Sequence, residues 1–327
     1  MLNVRRSVLA LLVFAAAAMT SAAPALAQAP AWPQRPVKFV IPLGPGSGVD
    51  ITARLVGDRL SKKWGQSVVV ENRPGGDSIV AINAFISAAD DHTLLFTPTG
   101  AFTAHPFLHD KVPYDIKELG HITRVTSTVV VFAVPVASGI TTVKELLEKT
   151  KANPGKLNWA SATATNEYLF AAYMKKVGLS MTKVPYKDSV QPVNDLAEGR
   201  IDFYVGAYAI IRPHIESGKV KILAVTNRER APGAPDIPTA REAGFPDLEF
   251  DGLVGLFGPK TMANDLRERI AADVKAVLAD PGIVQRLTAT GQIISPGSAK
   301  EFAAAMDAQQ AQVNAAAAAI GMKAATN

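Results

Sequence analysis

Short apolar runs alternate along this chain with apolar residues at helical spacing. Val37-Lys38-Phe39-Val40-Ile41 is β-branched and aromatic and predicts a strand. The run stops at Pro42-Leu43-Gly44-Pro45-Gly46-Ser47-Gly48. From Asp50 onward, Ile51, Leu55, Val56, Leu60 and Trp64 recur at the period of a helix that ends near Gly65. A second strand is expected over 67–70, a helix over 79–88 and a third strand over 93–96, each strand ending in a polar loop that carries glycine. Strand, turn, helix and strand make a parallel crossover unit.

The same order returns later. Residues 157–160 predict a strand, 161–166 a small polar turn, 168–177 a helix, 181–184 a strand, 193–198 a short helix and 202–205 a strand. The recurrence predicts two α/β lobes of like topology, each a mainly parallel sheet flanked by helices. Ligands of such sheets sit beyond the carboxyl ends of the strands, which puts the crevice between the lobes. The Val- and Thr-rich run 122–134 suits a strand passing from the first lobe to the second, and 250–257 a strand returning. The helices over 265–279 and 299–320 then rejoin the first lobe. The expected division is 33–133 plus 252–327 for the first lobe and 134–251 for the second, with two crossing segments acting as a hinge.

The chain has 327 residues, 34 Lys and Arg, 29 Asp and Glu, five His and no Cys, giving a net charge of +5. Without cysteine there is no thiol nucleophile, disulfide, Cys-ligated zinc or iron–sulfur cluster. Residues 1–27 read as a secretory signal peptide: Arg5 and Arg6, an apolar run over 8–19 too short to span a bilayer, then Ala25-Leu26-Ala27. Cleavage after Ala27 places the mature protein in the periplasm, with Gln28 first. Lys and Arg are interleaved with acids and form no aromatic-basic cluster, so nucleic acid is not an expected partner.

Candidate chemistry is sparse. The turn from Gly44 to Gly48 imitates a dinucleotide fingerprint, but the third glycine would have to be residue 49, which is Val49. Its helix start still attracts anions, including carboxylates. His105 and His109 have the spacing of a metal pair, yet Pro106 lies between them where a helix would break. No serine sits in a G-x-S-x-G elbow. No catalytic residue, metal or cofactor is expected.

The stretches RPVKFVIPLGPGSGVDITARLVGDRL, VVVENRPGG, TLLFTPTG, KANPGKLNWASA, KVPYKD, HIESGKVKILAVTNRERAPGAPDIPTAREAGFP and ADVKAVLADPGIVQRL resemble the substrate-binding receptors of tripartite tricarboxylate transporters, the Bug-type or TctC-like proteins. The likeness runs in register over nearly the whole mature chain. It implies a two-lobed periplasmic-binding-protein fold and a monomer. Its role would be to close around a small organic acid and deliver it to a membrane permease of one large and one small subunit.

By the same resemblance, ligand-binding positions are Gly46, Ser47, Gly48 and Asp50 in the first loop and Thr97, Thr99 and Gly100 in the third. Ser161, Thr163 and Thr165 follow at the second lobe's helix start, with Tyr186 and Lys187 beyond. The chain departs from the family pattern at Asp77, at Asn166-Glu167-Tyr168 and at Lys187-Asp188-Ser189. If Glu167 and Asp188 point inward, a second ligand carboxylate is repelled and a neutral or cationic end favoured. The alternatives are an exported ligand-binding partner of a sensor system and, with less support, a nicotinamide-dependent enzyme.

Overall fold

The computed structural model describes residues 32–161, 163–186 and 190–325; the expected leader with its cleavage point after Ala27, and Lys187 and Asp188, lie outside the described residues. All elements below belong to the unit 35–327. The first crossover is as the pattern predicts: β1 (Val37–Ile41), α1 (Gly48–Trp64), β2 (Val68–Asn72), α2 (Ile79–Ala88) and β3 (Thr93–Pro98). Ser47 caps α1 by accepting the Asp50 amide, and Gly65 ends it in the left-handed conformation that an L side chain resists. A further helix, α3 (Gly100–Leu108), begins directly behind β3. It runs through Pro106, which falls in its last turn and so removes one backbone bond without breaking the helix.

The apolar run expected as one crossing strand is two, β4 (Leu119–Thr128) and β5 (Val130–Pro135). Val129 between them is where the chain changes sheets. The second lobe follows with α4 (Val143–Ala152), β6 (Asn158–Ser161), α5 (Ala164–Lys176), β7 (Thr182–Lys183), α6 (Gln191–Ala197), β8 (Phe203–Ala207), α7 (Tyr208–Glu216) and β9 (Val220–Val225). The chain then returns through β10 (Gly252–Pro259), α8 (Asn264–Leu278), α9 (Pro281–Ala289), β11 (Gln292–Ile294) and α10 (Ala299–Ala319).

The first sheet has the order β11-β4-β10-β3-β1-β2 and the second β7-β6-β8-β5-β9. Each contains three parallel strands from its crossover unit: β1 pairs with β2 and β3, and β6 with β7 and β8. In the first sheet β10 runs antiparallel to its neighbours β3 and β4, and in the second β5 runs antiparallel to β8 and β9, making both sheets mixed. All the parallel strands of a sheet end at one edge, so the loops after β1, β2 and β3 and those after β6 and β8 form two sets, one per lobe.

Aromatic packing fixes both lobes. In the second, Trp159, Phe170 and Phe203 stack in series with ring centroids 4.7 Å apart at each step. In the first, Phe302 of α10 packs 5.0 Å from Phe257 of β10 and is wholly buried. Its Cζ edge fills the space over Gly255, where a Cβ would overlap the ring. Among the described residues, no helix is long and apolar enough to cross a membrane. Gly255→Ala is expected to lower stability by roughly 1–3 kcal/mol through overpacking, read by urea denaturation. Adding Phe302→Leu should recover part of that loss, because the smaller side chain relieves the clash.

Candidate functional site

The turn after β1 is built around a buried acid. Gly46 adopts φ +84°, which bends the chain so that its amide donates to the Asp50 carboxylate at 2.9 Å. Asp50, 3% exposed, also accepts from Arg54 Nε at 3.0 and 3.1 Å and from Asn72 Nδ2 at 2.9 Å. Asn72 donates as well to the Leu43 carbonyl at 2.8 Å, so one carboxylate ties together the loops after β1 and β2. Burial alone would raise its pKa. The bonds from Arg54, Gly46 and Asn72 outweigh that and hold the carboxyl below its ordinary value. Asp50 is therefore spent on the scaffold. The first-turn amides at Gly48 and Val49 remain, since the first amides of a helix have no intrahelical acceptor.

The loop after β2 holds four successive residues at positive φ: Gly75, Gly76, Asp77 (49°) and Ser78 (81°). For the two non-glycines this conformation costs on the order of 1–3 kcal/mol each. His105 of α3 supports it from below. Wholly buried, its Nε2 lies 2.8 Å from the Asp77 carbonyl, which only accepts, so Nε2 carries the proton. Its Nδ1 lies 2.6 Å from the Tyr114 hydroxyl, whose pKa is pushed upward chiefly by burial. Both ring nitrogens of His105 are thus engaged within the fold.

The threonines of the third loop turn inward. The Thr97 hydroxyl donates to the adjacent Pro98 carbonyl at 3.1 Å. Thr99, wholly buried, donates to Gln309 Oε1 of α10 at 2.5 Å, and Gln309 Nε2 donates to the Asp251 carbonyl at 2.9 Å. Thr165 reaches across from α5 to the Gly100 carbonyl at 2.9 Å, with Thr103 Oγ1 3.3 Å away. Thr165 is accordingly brought to Gly100, joining the two lobes, while the Thr99 hydroxyl ties the third loop to α10 and the Thr97 hydroxyl bonds within its own loop. Ser161 and Thr163 form a small turn, Ser161 Oγ donating to the Thr163 carbonyl at 2.9 Å and the Thr163 hydroxyl accepting the Asn166 amide at 3.3 Å. Glu167 is drawn into an ion pair with Lys183 at the edge of the second sheet. The Tyr186 hydroxyl donates to Asp195 at 2.7 Å; burial and that carboxylate push its pKa up to about 12.

Two features escape the sequence pattern. One is the start of α7. Its N-cap, Ala207, offers no side-chain acceptor, and the Tyr208 amide donates to the Val129 carbonyl at 2.9 Å. The helix start packs on the turn before β11, where a Cβ at Gly291 would stand 3.0 Å from Tyr208 Cδ1 and 3.5 Å from the Ala209 nitrogen. Gly48 meets the same turn, 2.9 Å from Gln292 Nε2 by the same measure. A helix start from each lobe therefore borders one turn. The other feature is Asn227, wholly buried between the crossing segments. Its Oδ1 accepts the Val130 amide at 3.0 Å, and its Nδ2 donates to Ser127 Oγ at 3.1 Å and the Thr128 carbonyl at 3.0 Å. The polar pair Thr226-Asn227 ending the apolar run Ile222-Leu223-Ala224-Val225 was the available sequence signal.

Replacing Asp50 by Asn is expected to cost roughly 1–3 kcal/mol at neutral pH, because Gly46 and Arg54 lose their charged acceptor. The folded pKa lies below the unfolded one, so this stabilisation is complete above the ordinary Asp value of about 3.9 and fades as pH falls through the lower folded value. Wild-type and variant melting curves should converge in acid.

Residues 52–322 match the family described as the tripartite tricarboxylate transporter family receptor, TctC. The chain is 33% identical over 294 residues to the UPF0065 protein in the tcbD–tcbE intergenic region of Pseudomonas sp. strain P51, spanning 88% of this chain and 87% of the relative. R. palustris Rpa4515, solved with adipate, superposes with a TM-score of 0.78 at 26% identity, over 89% of this chain and 99% of that one. The periplasmic binding protein BugD superposes with a TM-score of 0.74 at 26% identity, again over 89% and 99%. A match that runs from the first helix to the last, on a fold shared with periplasmic binding proteins, means that the chain belongs to the tripartite tricarboxylate transporter family receptors, the TctC-like Bug-type solute-binding proteins, and not to an enzyme family.

Proposed function

We propose that this receptor is exported, captures a small organic acid between its lobes and hands it to a membrane permease of one large and one small subunit. The observation that carries the reading is the pair of helix starts, α1 from one lobe and α7 from the other, bordering the same turn. Helix starts present backbone amides and the positive end of the helix dipole, so they stabilise a carboxylate without burying an unpaired cation. Gly46, Ser47 and Gly48 would shape the first of these, and Ser161 and Thr163 would contribute at the start of α5. The adipate-bound relative supports a carboxylate as the ligand. Thr97, Thr99 and Thr165 would act indirectly, by holding the loops that bind.

Closure would turn on the crossing segments beside Asn227. On this reading the lobes would divide near positions 134 and 252, with the first boundary moved back to take in all of β5, which pairs within the second sheet from Val130. Because Lys183 answers the charge of Glu167, that acid does not limit the ligand's far end.

A thermal-shift screen tests the reading. Organic acids at a hundred times their Kd should stabilise the protein by about 2.7 kcal/mol, raising its melting temperature by several degrees. Stabilisation by amines or neutral sugars, with none by acids, would overturn it. Export is tested separately: amino-terminal sequencing of the periplasmic fraction should begin at Gln28. A mature protein that retains Arg5 and Arg6 would contradict a cleaved leader.

A further inference from the structure

Tyr204 of β8 is wholly buried in an aliphatic cluster that includes Val129, Val131 and Ile211. Its hydroxyl oxygen is itself buried and has no hydrogen-bond partner among the described residues. Phenylalanine would fill that apolar space without stranding a polar atom, so packing does not account for the hydroxyl. Its direction is set by Gly206, where a Cβ would overlap the phenol oxygen. Residues 204 and 206 share one face of the strand. The ring therefore lies along the strand toward its carboxyl end, where Ala207 leads into α7.

That end has unused donors. Ala207 caps nothing, and the Tyr208 amide is taken by Val129. The Ala209 and Ile210 amides precede the first intrahelical acceptor. The start of α7 also packs against Gly291, next to Gln292, which faces Gly48 at the start of α1.

We propose that the Tyr204 hydroxyl and the first-turn amides of α7 form an anion subsite in the second lobe, which receives the far carboxylate of a ligand whose near carboxylate sits at the start of α1. This rests on the receptor reading and adds the group that selects acids with two carboxylates. Burial pushes the phenol's pKa upward, so the hydroxyl stays protonated and offers its hydrogen to an acceptor oxygen.

The test is calorimetric titration of wild type and Tyr204→Phe with succinate, glutarate and adipate, and with butyrate, valerate and hexanoate as their singly charged counterparts. Tyr204→Phe keeps the ring packing, and its unliganded melting temperature should be equal to or above that of wild type. Wild type should bind at least one diacid about tenfold or more tightly than the monoacid of equal length. Tyr204→Phe should weaken that diacid by roughly tenfold and leave the monoacid within about twofold, the signature of one lost bond to a charged group. Gly206→Ala, which displaces the hydroxyl, should show the same loss of preference.

Diacid binding left intact by Tyr204→Phe overturns the subsite while the receptor reading stands. So do an equal loss for both classes of acid and a wild type that shows no preference for diacids. If wild type binds neither class, the receptor reading falls together with the subsite.

Discussion

The two lobes depend on a small set of hydrogen bonds, mostly between neutral groups, where the chain crosses between them. Asn227 lies at this crossing with its carboxamide fully used, accepting from Val130 and donating to Ser127 and Thr128. Its neighbour Thr226 closes the other side, donating through Oγ1 to the Phe250 carbonyl at 2.8 Å while its amide donates to Val130 at 2.8 Å. A buried charge here would need a counter-charge that moved with it, whereas an amide with both ends satisfied stays inexpensive as the segments flex. The third loop is tied to the same region. Thr99 bonds to Gln309, and Gln309 bonds to the Asp251 carbonyl, so the crevice and the crossing are mechanically joined through α10.

Much of the architecture was legible because it is carried by local pattern. The strand over 37–41, the amphipathic helix after Asp50 and the recurrence of strand and helix beyond residue 157 all express periodicity within a few residues of one another. Two of the helices the pattern missed have a common physical reason. Both α3 and α7 contain an interior proline, Pro106 and Pro213, which a sequence reading treats as a break. In each the proline falls in the second half of a nine-residue helix, where the lost bond is tolerated.

The site was legible as a set of loops and not as a set of donors. Family likeness pointed to Thr97, Thr99 and Thr165, and of these Thr165 bonds from the second lobe to Gly100 of the first. Which way a hydroxyl points, however, is decided by partners remote in sequence: Gln309 for Thr99 and Gly100 for Thr165. Glu167 is a similar case, since Lys183 on a neighbouring strand determines that its charge is answered. No local pattern encodes such pairings. Tyr204 escaped notice because a tyrosine in an apolar strand reads as core, and only the absence of a partner for its oxygen sets it apart.

The position of β10 bears on the order in which the protein can fold. It runs between β3 and β4 in the first sheet, although it is made after every strand of the second. The second sheet draws all its strands from residues 130–225 and can assemble by itself. The first stays split, with β1, β2 and β3 on one side and β4 on the other, until residues 252–259 slot between them and Phe302 seals Gly255. Such long-range closure is slow and leaves the early part of the chain open. A polypeptide whose opening third cannot settle until its final quarter arrives is well suited to being threaded through a membrane before it folds.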